Sequence, residues 1–160
     1  MSAFEILLAA SALGCGLMAG VYFAFSAFIM AGLDRIGNAQ AIAAMNAINV
    51  GIVRSAFMPL LVGTTIASLA VGAASLISWP EPGRASVLAG AVIYFVGMFV
   101  VTMVCNVPLN EALARSDDRA EPMNSAWETY RARWTRWNHV RTVASAITAA
   151  LFVAELMLRK

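Results

Sequence analysis

Long runs of apolar residues without a charged side chain dominate this sequence. Three runs lack Asp, Glu, Lys, Arg and His over 26 to 28 residues, namely Ile6 to Leu33, Ser55 to Pro80 and Ala85 to Asn110. A fourth run, Thr142 to Leu158, is interrupted only by Glu155. A helix crosses a bilayer with about 20 apolar residues. The pattern therefore predicts four membrane-spanning helices, at approximately 4–31, 56–79, 85–107 and 139–158.

The composition agrees with this pattern. Hydrophobic residues make up 61% of the chain, charged residues make up 12%, and the mean hydropathy is +0.75, a balance outside that of soluble domains. We expect a single membrane domain over residues 1–160. The predicted fold class is an all-α membrane protein, a bundle of four transmembrane helices. The net charge of +2 forms no patch suited to nucleic acid.

The connection after the first span is uncharged but polar. It carries four amide side chains, Asn38, Gln40, Asn46 and Asn49, which makes it too polar to face lipid. Helical spacing of its polar and apolar residues favours a helix over about 38–54, lying at the membrane interface or tucked under the bundle. Two interpretations stay open: the amides face water, or Asn49 points inward and takes part in a site.

Basic residues are distributed unequally between the two membrane faces. With four spans, the connections after the first and third lie on one face and carry eight basic residues, Arg35, Arg54, Arg115, Arg119, Arg131, Arg133, Arg136 and Arg141. The opposite face carries only Arg84, Arg159 and Lys160. The positive-inside rule then predicts a multi-pass protein of the cell (inner) membrane, with both termini outside and the two long connections cytoplasmic.

The third span ends in an unusual polar segment. One of its faces carries, at helical spacing, Phe95, Phe99, Thr102 and Asn106. Pro108 removes a backbone donor and clashes with the preceding turn, so the helix is expected to kink or end there. Asn106 could bond the freed backbone and Asn110 could cap a new helix. Alternatively, these polar groups belong to a functional site, because they outnumber what one helix break needs.

The last part of the chain predicts one long helix. No Pro or Gly occurs after Met123, so about 36 residues, roughly 54 Å, form a single helix whose first half, about 123–138, protrudes from the bilayer. One stripe of this helix collects Trp127, Tyr130, Trp134, Trp137, Asn138 and Arg141, and continues through Ser145, Thr148, Phe152 and Glu155. His139 lies away from the stripe. An interfacial aromatic belt would not require a single azimuth, which favours a site.

The first span offers weaker signals. Gly16 and Gly20 have the spacing of a small-residue face for close helix packing. Phe23, Phe25 and Phe28 follow towards one end of the span. They fit an interfacial aromatic belt, or the lining of a site for a flat aromatic ligand.

Several segments, in order along nearly the whole chain, carry a resemblance to a known family. They are Phe23-Ala-Phe-Ser26 with Phe28-Ile-Met30, Ala41 to Met45 with Ile48-Asn49, Val101-Thr102, Asn106-Val-Pro-Leu-Asn110, and Trp134-x-x-Trp137-Asn138-His139-Val-Arg141-Thr142. In these segments the chain resembles the anthrone oxygenase-like family of small membrane proteins. The Asn-Val-Pro-Leu-Asn and Trp-Asn-x-x-Arg elements are the most specific. Arg54 departs from the family, whose members often have an uncharged residue there.

This resemblance implies a four-helix membrane fold and oxygenation of an anthrone to an anthraquinone without a metal or flavin. Such a reaction needs a delocalised anion that O₂ can oxidise, and therefore flat apolar walls, donors for an enolate oxygen and a base. Candidate donors are Asn106, Asn138 and Arg141, and the base is His139 or a water. The candidate substrate-binding residues are Phe25, Asn49, Phe99, Thr102, Asn110, Tyr130, Trp134 and Trp137.

No cofactor is expected, and a lone histidine makes a weak metal site. Two other functions stay open. The bundle could hold a quinone or a lipid as a non-catalytic binding or accessory protein, or the polar segment could be a structural cap in which Arg141 pairs with Glu111 or Asp118. The expected partners are the bilayer and a hydrophobic aromatic small molecule or lipid, and a homo-oligomer is compatible with the sequence.

Overall fold

The computed structural model of the protein describes residues 2–78, 83–116 and 123–158. These residues form helices and no strand. The α-helices are α1 (Ala3–Ala24), α2 (Met30–Asp34), α3 (Asn38–Val53), α4 (Phe57–Ser78), α5 (Arg84–Tyr94), α6 (Val107–Arg115) and α7 (Met123–Leu158). Short π-helical segments, Phe25–Ile29, Phe95–Val100 and Thr102–Asn106, connect α1 to α2 and α5 to α6.

Among the described residues, four continuous helices are long and apolar enough to cross a membrane. They run over Ala3–Asp34, Phe57–Ile77, Arg84–Arg115 and Ala126–Leu158. The predicted all-α membrane fold with four spans is therefore confirmed, and the chain is a multi-pass membrane protein.

The helix that contains the third predicted span does not end at Pro108 but continues to Arg115. Pro108 lies in the first turn of α6 and cannot donate a backbone hydrogen bond to the preceding turn. The π-helical segment Thr102–Asn106 immediately precedes α6. Its wider turn changes the hydrogen-bond register, so the helix passes the proline without ending.

The spans pack around an apolar core. α1 lies along α7 and α4, and α5 lies against α4 and α7. The largest cluster of buried apolar side chains joins these four helices through Leu8, Met18, Tyr22, Leu61, Val71, Val87, Tyr94, Met98 and Phe152, among others. This core holds the helices that carry the polar site described below.

A second core lies at one end of the bundle. The apolar side of α3 buries Ala41, Ile42 and Met45 against α2, α6 and the first turns of α7, where Trp127 and Trp134 are also buried. The helix expected at about 38–54 is thus present over Asn38–Val53, and its apolar side is packed under the bundle. Gly37, with φ of 88°, makes the left-handed turn that leads into it.

α7 is one helix of 36 residues, as the absence of Pro and Gly predicts. Its predicted stripe is the buried side of the helix, including the polar residues Asn138, Arg141, Ser145, Thr148 and Glu155. Two of these bond to α5: the Thr148 hydroxyl donates to the Gly90 carbonyl at 3.0 Å, and the Ser86 hydroxyl donates to the Glu155 carboxylate at 3.0 Å.

The prediction of close packing at Gly16 and Gly20 is wrong. Both glycines are exposed, and a Cβ added at either would meet no atom within 4 Å. The close approaches lie elsewhere: a Cβ on Gly97 would stand 2.6 Å from the Ala144 Cβ, and one on Gly72 would stand 2.7 Å from the Ala91 Cβ. The spacing Gly-x-x-x-Gly marks a small face, but it does not say that another helix covers this face.

Candidate functional site

The site centres on Arg141 of α7, whose side chain is only 5% exposed. Its guanidinium carbon lies 4.3 Å from the ring centroid of Tyr22 and 5.1 Å from that of Trp134. The guanidinium donates to the Asn138 side-chain oxygen at 2.7 Å and to the Thr102 hydroxyl at 3.4 Å. Aromatic rings and neutral oxygens of three spans therefore hold one buried cation.

Asn138 positions this cation. Its side-chain nitrogen donates to the Tyr22 carbonyl and to the Ser26 hydroxyl, both at 2.6 Å, while its oxygen accepts from Arg141. The π-helical segment begins at Phe25, just after Tyr22. The Tyr22 carbonyl also accepts from the Phe25 N–H, so Asn138 bonds to its second lone pair. Asn138 thus ties the first span to the last one at the level of Arg141.

Asn106 brings the third span to the same place. Its side-chain nitrogen donates to the backbone carbonyl of Trp134 at 3.3 Å, which is one helical turn before Asn138. Its side-chain oxygen is buried without a hydrogen-bond partner. The polar end of the third span and the polar stripe of α7 therefore meet. Asn106 bonds to the turn of α7 that precedes Asn138.

Next to these groups lies a cavity of about 610 Å³, within the size range of small-molecule sites. It is bounded by the first span, α3, α4 and the third and fourth spans. Seven of the residues that the sequence proposes for a site line it: Phe25, Asn49, Phe99, Thr102, Asn110, Trp134 and Arg141. The structure thus places most of the proposed binding residues around one space.

Aromatic rings form one wall of this cavity. The Phe25 and Trp134 ring centroids lie 5.5 Å apart, and the Trp134 ring neighbours that of Tyr130 at 6.3 Å. The Tyr130 hydroxyl donates to the Asn110 side-chain oxygen at 2.9 Å. Tyr130 lies behind the cavity wall and fixes Trp134 and Asn110, which line it.

The rim of the cavity is apolar and exposed on the outside of the bundle. Val50 is 66% exposed, Val53 63%, Met103 51% and Val62 43%, and all four line the cavity. Val50 and Val53 lie on α3, and Val62 and Met103 lie on two of the helices that are long and apolar enough to span a membrane. The cavity therefore opens between α3, α4 and the third span, through a rim of exposed apolar side chains.

Two of the proposed site residues lie elsewhere. His139 is exposed and borders a different surface depression, together with Met30, Arg131 and Arg136. Trp137 is half-buried and does not line the cavity. His139 points off the stripe because it lies about 120° from Trp127 around α7, so it is not positioned to act on a ligand in the cavity.

Some residues of the site were not anticipated from the sequence. Tyr22 stacks on Arg141, and Met45, Ile48 and Phe57 line the cavity. Tyr22 lies one helical turn before Phe25 and Ser26, and that spacing was a usable signal. The rim residue Glu111 was proposed only as a partner of Arg141, whereas its carboxylate lies 3.7 Å from Arg115.

The interpretation of Arg141 as the partner of Glu111 is therefore wrong. The other proposed partner, Asp118, lies outside the described residues. A different carboxylate has a structural role: Asp34 accepts from the Trp127 indole at 2.9 Å and pairs with Arg131. This contact ties the end of α2 to the first turns of α7. Within the described part of the chain, no group of three or more His, Cys, Asp or Glu side chains could hold a metal ion.

The fold and the site define a multi-pass helical membrane protein with a largely apolar cavity beside a buried arginine. The family model described as anthrone oxygenase matches residues 45–151, more than half of the chain. The chain belongs to this anthrone oxygenase family. The matched range contains Asn49, Asn106 and the whole segment from Trp134 to Arg141. No curated protein and no solved structure matches the chain.

Proposed function

We propose that the protein binds a flat aromatic or quinone-like molecule in the cavity and oxygenates it without a metal or flavin. One observation carries this proposal: Arg141, between the rings of Tyr22 and Trp134, forms part of the wall of a largely apolar cavity of about 610 Å³. Family membership supplies the reaction type. The ring walls would hold the aromatic body, and the guanidinium would donate to its oxygen.

The chemistry suits an anthrone. Loss of one proton from the benzylic CH₂ group gives an enolate, and O₂ accepts its electrons and adds at the same carbon. Collapse of this adduct turns the CH₂ into a carbonyl and releases the second oxygen atom as water, so that R₂CH₂ and O₂ give R₂CO and H₂O. Arg141 would stabilise the enolate oxygen, because preorganised donors lower the energy of developing negative charge.

Asn106 and Asn138 take positioning roles in this scheme. Asn138 orients the guanidinium directly, and Asn106 bonds the backbone of Trp134. His139 lies outside the cavity, so proton removal falls to a water molecule or to the rim carboxylate of Glu111, which lines the cavity. Glu111 is exposed and can exchange a proton with solvent.

A non-catalytic function is the second candidate, and the exposed apolar rim favours it. A cavity with an exposed apolar rim of Val50, Val53, Val62 and Met103 can receive a quinone or lipid from the bilayer and release it unchanged. Such a protein would need the same walls but no base. Arg141 would then contribute affinity alone.

The proposed cellular placement follows from the basic residues. Both termini lie outside the cell membrane and the two long connections lie in the cytoplasm, where most of the arginines are. The site lies near the cytoplasmic end of the bundle in this orientation.

Oxygen uptake tests the proposal. Purified protein in detergent is mixed with an anthrone, and O₂ consumption is recorded together with the mass of the product. The wild-type protein should consume one O₂ for each anthraquinone formed, above the rate of the anthrone in empty micelles. Arg141→Ala should lose most of this rate, while Arg133→Ala should keep it, because Arg133 is exposed on another side of α7.

Both substitutions remove one positive charge, so a general effect of surface charge would lower both rates equally. Equal rates in the two variants would remove Arg141 from the reaction. Tight binding of the anthrone with no uptake above the micelle control would select the non-catalytic function.

A further inference from the structure

The charge of Arg141 has no carboxylate partner among the described residues. None of their five carboxylates pairs with it: Glu5 caps α1, and Asp34 pairs with Arg131. Glu111 lines the same cavity as Arg141, but its carboxylate lies at the exposed rim, 3.7 Å from Arg115. Glu155 bonds Ser86, and Glu128 is exposed. The contacts of the guanidinium are to neutral oxygens and aromatic faces.

Neutral contacts offset only part of the cost of burying this cation. A cation over an aromatic face gains about 0.5–2 kcal/mol, whereas a buried charge without a partner of opposite sign is far more expensive. This arginine lies within a membrane-spanning helix, where ionisable side chains mark sites. The Arg141 cation therefore lacks a partner of opposite charge among the described residues and borders a cavity that could hold one.

The buried cation stands at the wall of the cavity. Arg141 lines the cavity together with Trp134, and each of these two residues is only 5% exposed. The Nε of Arg141 is buried without a hydrogen-bond partner, so the hydrogen bonds of the guanidinium are incomplete as well. An anion in the cavity would supply the counter-ion that the cation lacks.

We infer that the cavity takes its ligand as an organic anion, an aromatic molecule that carries one oxyanion, with Arg141 as the counter-ion. The oxyanion is a phenolate, an enolate or a carboxylate. This inference rests on the proposed binding function, and it adds that the resting ligand is charged.

The remainder of the cavity fits the apolar body of such an anion. Beyond the arginine, the walls are Phe57, Leu61 and Phe99, and the rim residues Val53, Val62 and Met103 are apolar too. An amphiphilic aromatic anion would enter from the bilayer with its rings in hydrocarbon and its oxygen towards Arg141. A neutral aromatic molecule would leave the cation without a counter-ion.

A pair of probes of similar shape tests this inference. The affinities of 9-anthracenecarboxylate and 9-anthracenemethanol are measured by fluorescence titration of purified protein in a non-ionic detergent, with empty micelles as the blank. Because a hydrogen bond to a charged group contributes about 1.5–3 kcal/mol, the carboxylate should bind at least about tenfold more tightly than the alcohol.

Matched variants assign the preference to the arginine. Arg141→Met should abolish the preference and Arg141→Lys should keep part of it, while Arg133→Met should behave as the wild type. A folded Arg141→Met protein that keeps the preference would overturn the inference. If Arg141→Met does not fold, Arg141→Gln decides, because glutamine keeps a hydrogen-bonding side chain and removes only the charge. It should abolish the preference for the carboxylate, and a preference that survives in it would overturn the inference.

The outcomes separate this inference from the proposed function. Equal affinity of the wild-type protein for both probes would overturn the anionic ligand and leave aromatic binding intact. No binding of either probe would overturn both. Oleate, a fatty-acid anion, is titrated as a third probe. If oleate binds more tightly than 9-anthracenecarboxylate, the site takes a lipid anion, and the aromatic part of the inference is overturned.

Discussion

Arg141 and Asn138 show how helical spacing alone brings chemistry together. They are three residues apart, so they share one side of α7, and the guanidinium donates to the amide oxygen at 2.7 Å. This contact could be predicted from the sequence. The contact of Arg141 with Tyr22 could not, because it depends on how the first and last spans are rotated against each other. Periodicity within one helix carries no information on that rotation.

The two buried asparagines should act as one unit. Asn106→Leu and Asn138→Leu each leave buried hydrogen-bonding groups without partners, which costs about 1–3 kcal/mol per group. Since Asn106 bonds the turn of α7 next to Asn138, the double variant should differ from the sum of the single ones by more than about 0.5 kcal/mol. The free energy of unfolding in detergent measures this coupling. Additive effects would make the two asparagines independent helix contacts.

Two tryptophans of α7 provide a matched comparison. Both substitutions by Phe shrink a buried side chain, which costs packing at either position. The Trp127 indole also donates to Asp34 at 2.9 Å, whereas the Trp134 indole nitrogen has no partner, so Trp127→Phe should lose about 1 kcal/mol more stability than Trp134→Phe. Trp134 lines the cavity and Trp127 does not, so only Trp134→Phe should weaken ligand binding several-fold. Thermal unfolding and probe titration of both variants check this. The opposite assignment of the two losses would place the ligand away from Trp134.

At the scale of helices, the sequence predicts the long α-helices better than the irregular segments that interrupt them. The length and buried side of α7 follow from an uninterrupted stretch and a single polar stripe. The π-helical segments, such as Thr102–Asn106, leave no periodic signature of their own, because one wide turn shifts a pattern by less than one residue spacing. For this reason the sequence left open whether the third span kinks or ends at Pro108, and the structure shows that the helix continues to Arg115.

Substitution of glycines by leucine tests which pairs of helices are in close contact. Gly97→Leu should strongly lower stability, because even a Cβ at this position would lie 2.6 Å from the Cβ of Ala144 on α7, so the two helices must separate. Gly16→Leu adds the same side chain to the same kind of helix but meets no atom within 4 Å of its Cβ. Thermal unfolding of the two variants in detergent should show a large loss for the first alone. Similar losses would indicate that a partner molecule covers Gly16.

At the scale of the whole molecule, the number of spans and the general place of the site followed from the sequence. Long uncharged runs and polar residues within them are strong signals in a bilayer, where each unmet polar group is costly. The existence and shape of the cavity could not be predicted, because its walls come from five separate helices whose packing the sequence does not specify. The proposed base, His139, illustrates the same limit, since its exposure depends on the packing of α7 against α1.

The orientation of the bundle is a prediction that reporter fusions can check. A reporter that is active only in the cytoplasm should be silent after Lys160 and active when inserted near Asp117, because the basic residues are concentrated in the connections after the first and third spans. Detection of each fusion on a blot controls for expression. The reverse pattern of activity would invert the membrane orientation while leaving four spans.

Locating a bound aromatic molecule tests the central claim most directly. Crystals of the wild-type protein are grown with 2-bromoanthraquinone-3-carboxylate, and anomalous diffraction at the bromine edge gives the position of the halogen. The account predicts a bromine peak within the cavity between Trp134 and Phe99, with the carboxylate at Arg141. A peak only on the lipid-facing surface, or at the depression beside His139, would contradict it.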